Sequence, residues 1–415
     1  MESNVNRLEL EAPFSLSKSK SFVLLWFTTV VSSLSLSMFM FIQSWYVVET
    51  LSMEASLGII LVSLTIMRMV SMIIGGVAAD KGSPTKIMAL SDLSLAILMF
   101  ALAAFFLLFI DVPIWVLAIN AAFFGIAGGM FEPSRDALIP KIVREDHLTR
   151  ANSLLQGAIQ ISLFTGPLLA GVMITYFSYN IVLLLIGSCL CLSGISVFFI
   201  KWKKEEQQKD ENQPFKRQLM EGFTYTWTSP LLRSLFMMTV VVNFFISGPL
   251  LMGLPIFVEG VLHGSSVGFS FVQGGLTLGM VLGSVLIGVM NPQRKRGAYA
   301  LYLIALQGIG MLLFSQAPSI MAAVCIIIFI GMLNPGVNVP LISLVQSYSS
   351  YEKVGRVMSL IRTGSLGLIP FSYAATSILL GIGMGIEVIM AWSSLPLIIS
   401  VAVLYFAYPI LRDVD

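Results

Sequence analysis

Twelve apolar runs occupy most of this chain, each near the roughly 20 residues that a helix needs to cross a hydrocarbon layer. They cover residues 21–48, 55–78, 87–109, 114–134, 150–177, 180–201, 234–258, 267–290, 298–315, 318–345, 354–379 and 386–409. Charged residues make up only 11% of the 415, against roughly 25% in a soluble globular chain, and mean hydropathy is +0.90. Too little polar surface is left for a particle solvated by water alone, so the lipid bilayer must be its partner over much of the surface. A net charge of +2 gives no reason to expect nucleic acid. The expected class is an all-α membrane protein of twelve transmembrane helices. The first run is longer than a signal-peptide core and reads as a retained helix.

The loops between the runs alternate in charge. Lys18, Lys20, Lys81, Lys86, Arg135, Lys141, Arg144 and Arg150 fall on one side, as do the Lys201–Arg233 cluster, Arg294, Lys295, Arg296, Lys353, Arg356 and Arg412. The opposite loops have no Lys or Arg and carry Glu49, Glu54, Asp111, Glu259 and Glu387. Basic loops stay in the cytoplasm. The expectation is therefore a multi-pass protein of the cell (plasma or inner) membrane with both termini cytoplasmic.

The longest polar stretch falls after the sixth run. It divides the chain into a cytoplasmic N-terminal segment (1–20), a six-helix bundle (21–201), a linker (202–233), a second six-helix bundle (234–409) and a cytoplasmic tail (410–415). Within the linker, Phe215, Leu219, Phe223 and Trp227 recur at helical spacing and predict a helix lying on the membrane surface. The halves show weak self-similarity. A shift of 206 residues superposes Phe124-Gly125-Ile126 on Ile330-Gly331-Met332, and Arg150, Ser153 and Leu154 on Arg356, Ser359 and Leu360. A shift of 212 superposes Gly76-Val77 on Gly288-Val289. Two related halves that meet at a midplane cavity are the architecture of secondary transporters.

Three motifs carry a resemblance. Gly76, Asp80 and Lys81, after the second run, resemble the G-x-x-A-D-[RK]-x-G-[RK]-[RK] loop of the major facilitator superfamily; Ser83, Pro84 and Thr85 stand where that pattern has a Gly and two basic residues. The segment from Phe131 to Leu154, with Pro133, Arg135, Ala137, Leu138, Pro140 and then Ala151-Asn152-Ser153-Leu154, is similar to the loop between helices four and five in the drug, macrolide and siderophore exporters of that family. Gly166-Pro167-Leu168-Leu169-Ala170-Gly171 is similar to the antiporter-associated G-P-x-x-G-G motif. The resemblance implies two pseudo-symmetric six-helix bundles, a monomer and a gating role for Gly76, Asp80, Lys81, Arg135, Gly166, Pro167 and Gly171. Gly76 is expected to permit a close helix contact, and Pro167 to bend its helix between the halves.

Charge inside a membrane is costly and usually functional. Arg68, Asp92 and Glu132 are the candidates for coupling. Arg68 and Asp92 differ in depth by roughly 7–8 Å at 1.5 Å per residue, so a pair between them is expected; Glu132 is placed near the inner end of its helix. Gln43, Trp45, Asn120, Gln160, Asn243, Gln273, Asn334 and Asn338 are candidates for lining a substrate cavity. The run Asn334-Pro335-Gly336-Val337-Asn338-Val339-Pro340 predicts a helix broken at the midplane. Cys189, Cys191 and Cys325 read as small buried hydrophobes. No histidine sits in a span and no metal-ligand cluster is visible, so neither metal, cofactor nor enzyme activity is expected; no phosphate loop for ATP appears. The function expected is a secondary active transporter that exports small amphipathic molecules by alternating access, in exchange for protons or another ion. Uptake of a small solute, or a sensor that binds a ligand without moving it, are the alternatives.

Overall fold

The computed structural model describes residues 16–109, 111–202, 223–290, 292, 294–349 and 354–413. All twelve expected helices are present, and by length and composition each is able to cross a membrane. The first half comprises α1 (Lys20–Trp45), α2 (Leu57–Lys81), α3 (Pro84–Leu108), α4 (Ile114–Ile142), α5 (Leu148–Tyr176) and α6 (Tyr179–Val197). The second comprises α7 (Pro230–Ile246), α8 (Ser266–Met290), α9 (Arg296–Phe314), α10 (Ile320–Tyr348), α11 (Val354–Gly381) and α12 (Ile386–Ala407). The alternating helices gather the basic loops at one end, the basic face, and Glu49, Glu54, Asp111, Glu259 and Glu387 at the other, the acidic face.

Local chemistry moves several boundaries away from the apolar runs. Ser83 caps α3 by accepting from the Lys86 amide at 3.4 Å, with Pro84 in the first turn, so the helix begins three residues before its run. Ser229 and Pro230 do the same for α7. The largest correction is α4, which continues to Ile142 through Pro133 and Pro140. Its 29 residues extend about 43 Å at 1.5 Å each, longer than a hydrocarbon core of about 30 Å, and only its apolar part was expected. The break predicted in α10 is absent: the helix passes unbroken through Pro335 and Pro340. In the linker, 223–228 is helical and the Phe223 and Trp227 rings stack at 5.2 Å; Phe215 and Leu219 lie outside the described residues. The cysteines are not core residues. Cys189 and Cys191 are half-buried and Cys325 is exposed, which suits a surface whose solvent is lipid.

Geometry repeats between the halves. A Cβ on Gly125 of α4 would strike the Leu64 carbonyl oxygen of α2; one on Gly331 of α10 would strike the Leu276 carbonyl oxygen of α8. These positions correspond under the shifts of 206 and 212 residues found in the sequence. The ends of α1 and α7 repeat as well. Both spans end in π-helical turns: α1 runs directly into Tyr46–Thr50, and the span begun by α7 continues through a π segment, Ser247–Met252, and an α turn, Gly253–Ile256, into Phe257–Val261. Both then leave the helix through a left-handed residue, Ser52 (φ 50°) and His263 (φ 49°). Met53 donates its amide to Val47, and Gly264 donates to Val258.

The halves touch along two helix pairs, α5 with α8 and α2 with α11. Both contacts lie toward the acidic face. Ser266 of α8 donates to the Gly171 carbonyl of α5 at 3.0 Å, and Ser377 of α11 donates to the Ala55 carbonyl just before α2.

Candidate functional site

Between the halves lies a cavity of about 810 Å³. All six helices of the first half wall it, together with α7, α10 and α11 of the second. It reaches Arg135 and Asp136 toward the basic face. Toward the acidic face α1 and α8 meet in an aromatic plug: Phe269 of α8 stacks on Phe41 of α1 at 4.5 Å and on Trp45 at 5.5 Å. The three rings come from opposite halves and are buried. Most of the lining is hydrocarbon, with a few polar groups set into it, which is the usual constitution of a small-molecule site.

Among the described residues, the charged groups that line the cavity sit in the first half. Arg68 and Glu132 form an ion pair at 2.5 Å, with side chains 36% and 32% exposed. Asp92 is 1% exposed. It accepts from Ser32 of α1 and Ser193 of α6, each at 2.6 Å, and the two hydroxyls lie 2.9 Å apart. Among the described residues no cation pairs with Asp92. The expected Arg68–Asp92 pair is therefore replaced by two separate arrangements. The α2 helix packs chiefly on α4, and Asp92 is bonded at the junction of α1, α3 and α6. Glu132 is not at a helix end. It stands ten residues before Ile142, the last residue of α4, on the cavity wall. Arg135 also lines the cavity and bonds Asp136 at 2.9 Å.

Of the polar residues expected to line the cavity, Asn338 does so, and its amide nitrogen bonds Asn334 Oδ1 at 2.9 Å. Gln273 lines a smaller chamber that continues from the cavity. The others serve elsewhere. Gln43 is buried and donates to the Leu117 carbonyl at 3.1 Å, tying α1 to α4. Asn120 donates to the Leu98 carbonyl at 3.4 Å. Asn243 bonds back to Thr239 at 2.9 Å. Trp45 belongs to the plug and faces a pocket on the acidic side. Gln160 is half-buried on α5, whereas Gln156 and Ile159 face the cavity.

The motif glycines divide. A Cβ on Gly76 would meet nothing within 4 Å, whereas on its neighbour Gly75 it would lie 2.9 Å from Met130 Cα; the close contact expected of Gly76 is made one residue earlier. The side chains of Asp80 and Lys81 lie outside the described residues. Gly166 packs on Ser37 within the first half, and Gly171 on Ser266 and Ser270 across to the second. Pro167 is buried within the continuous α5. Of the two glycines, Gly171 is the one pressed against the second half. Ser193 and the plug residues Phe41 and Phe269 were not singled out from the sequence. The stripe Thr28, Ser32 and Ser35, at helical spacing in an apolar run, is the signal that marks the polar face opposite Asp92.

This architecture has close counterparts. The model of the Major Facilitator Superfamily matches residues 25–370. Macrolide efflux protein A of Enterococcus faecalis is 25% identical over 302 residues, covering 70% of this chain and 90% of its own. The multidrug efflux pump Tap of Mycolicibacterium fortuitum is 24% identical over 397 residues, covering 89% of this chain and 91% of its own. Among solved structures, the nucleoside transporter NupG superposes with a TM-score of 0.72 at 14% identity, over 94% of this chain and 99% of its own; that likeness speaks for the fold alone. With twelve membrane-crossing helices in two related halves and its sequence relatives among drug-efflux proteins, the chain belongs to the Major Facilitator Superfamily of membrane transporters.

Proposed function

We propose that this protein is an exporter of small amphipathic molecules, driven by exchange for protons. Its basic face would be cytoplasmic, as charge placement in the loops argues, with residues 202–233 tethering the two bundles. The observation that carries the reading is the cavity shared by both halves, which reaches the basic face, with the Phe41–Phe269–Trp45 plug joining the halves toward the acidic face. With that orientation the cavity loads from the cytoplasm. Rocking of the halves at the α5–α8 and α2–α11 contacts would part the plug and release the cargo outside. Relatives named for macrolide and multidrug efflux support an amphipathic cargo.

Asp92 is the proposed proton site. Its carboxylate is held by two hydroxyls and, among the described residues, by no counter-ion, so hydrogen bonds carry its charge. Either Ser hydroxyl can turn from donor to acceptor when the acid takes a proton. Arg68–Glu132, half-exposed in the same cavity, is the pair that a charged cargo would disturb.

The test uses protein reconstituted in liposomes with an imposed pH gradient, and follows lipophilic dyes and macrolides. Gradient-dependent flux is expected, and flux indifferent to the gradient would remove the antiport step. Asp92→Asn keeps the volume and the serine partners but does not titrate; it should bind dye with wild-type affinity and lose gradient-driven flux. Normal driven flux in that variant would exclude Asp92 as the proton site. Binding without flux in the wild type would favour the sensor.

A further inference from the structure

Toward the acidic face the central cavity continues into a chamber of about 240 Å³. Leu36, Arg68, Phe124, Gly128 and Leu163 wall both spaces. The chamber adds a wall from the other half, where Gln273 and Thr277 of α8 face it. Gln273 lies one helical turn from Phe269, on the same side of α8, so it sits directly beneath the aromatic plug. The chamber is therefore the last space that a molecule fills before the plug.

Buried polar groups almost always have partners. Gln273 Oε1 is buried and has none among the described residues. Across the chamber, the Arg68 guanidinium is bonded to Glu132, and the Thr277 hydroxyl turns back to the Gln273 main-chain carbonyl at 3.5 Å. The amide oxygen of Gln273 is thus an unused acceptor at the wall of an otherwise largely apolar space. The terminal torsion of glutamine is soft, so the oxygen can turn into the chamber without any movement of α8.

We infer that Gln273 anchors a deep subsite that takes a hydrogen-bond donor of the transported molecule, a hydroxyl or protonated amine, while the apolar body stays in the larger cavity. The inference rests on the transport reading above and adds to it the class of group that recognition requires. Because the chamber is walled by both halves, a group bound there bridges them next to the plug.

The test compares wild type with Gln273→Leu, full-length in nanodiscs, using two probes. Erythromycin carries several hydroxyls and an amine; tetraphenylphosphonium has no hydrogen-bond donor. The substitution should weaken erythromycin binding about tenfold, the scale of one buried hydrogen bond, and leave tetraphenylphosphonium binding within about twofold. Equal effects on both probes, or none on erythromycin, would overturn the subsite and leave the transport reading standing. If wild type binds neither probe, the transport reading fails and the ligand-free protein decides the rest. An unpartnered amide predicts that Gln273→Leu holds or raises Tm, and a fall of several degrees would show that the protein itself satisfies Gln273.

Discussion

Gly171 is where the seal on the acidic face is most easily loosened without touching the cavity. A Cβ at this position would lie 2.7 Å from Ser270 Cβ and 2.8 Å from the Ser266 carbonyl oxygen, where ordinary contact begins near 3.4 Å. In Gly171→Ala, α8 must withdraw by several tenths of an ångström, and the 3.0 Å bond from Ser266 to the Gly171 carbonyl weakens with it. Overpacking of this kind costs about 1–3 kcal/mol. The contact exists only while α5 and α8 are together, so the cost falls on the state closed at the acidic face and not on one where the helices have parted. At 1.4 kcal/mol per factor of ten, the equilibrium shifts about 5- to 150-fold toward the parted state. Spin labels on Tyr176→Cys and Val261→Cys, both exposed near the acidic face, would report the change by double electron–electron resonance after Cys189, Cys191 and Cys325 are replaced by Ser. A longer-distance population is expected in Gly171→Ala. None is expected in Gly157→Ala, where a Cβ meets nothing within 4 Å. An unchanged distance distribution accompanied by a lower Tm would refute the reasoning, because the contact would then hold the fold and not the gate.

Two further outcomes follow from the geometry. Gly125→Leu and Gly331→Leu should be equally damaging, each placing side-chain carbon on a backbone carbonyl of the neighbouring helix at a cost of at least about 3 kcal/mol. Gly128→Ala, which meets nothing within 4 Å, should be tolerated, and folded yield by size exclusion separates the three. A double-mutant cycle on Arg68→Met and Glu132→Gln should give a coupling of about 1 kcal/mol or less by thermal unfolding, because both side chains are about one third exposed and solvent screens the pair; a coupling above about 3 kcal/mol would mean that the bridge behaves as a buried one.

The architecture was legible because lipid imposes it. An apolar run long enough to span must be helical, since its main-chain groups have no other partners in hydrocarbon, and the alternating charge of the loops confirmed an even number of spans. The repeat was legible at its most crowded points. Gly125 and Gly331 are matched in sequence because each is pressed against a carbonyl oxygen of a neighbouring helix, where no larger residue fits. Helix ends that apolarity does not set were misplaced: capping serines lengthened α3 and α7, and α4 ran on past its apolar run to Ile142. The π turns of α1 and α7 left no readable trace, for their left-handed exits are Ser52 and His263, not the glycines that usually announce such a turn.

The charged pairs were misassigned for a definable reason. Sequence gives depth directly, at 1.5 Å per residue, but which way a side chain points depends on knowing which helix is the neighbour. The information was present in the glycines. Gly125, Gly129 and Glu132 follow one another at i, i+4 and i+7, so they share one face of α4. Leu64, Arg68 and Ser71 have the same spacing on α2. Gly125 packs on Leu64 and Arg68, and Gly129 on Arg68 and Ser71, so the glycines that draw the helices together also aim Glu132 at Arg68. Asp92 belongs to neither face. It accepts from Ser32 of the buried Thr28-Ser32-Ser35 stripe of α1 and from Ser193 of α6. A stripe of small hydroxyls on one helix and a lone acid at matching depth on another is a pairing rule in a medium without water, because each supplies the hydrogen bonds that the other lacks. Applied first, that rule assigns Asp92 to hydroxyls, leaves Arg68 to Glu132, and separates the group proposed to take the proton from the pair that faces the cargo.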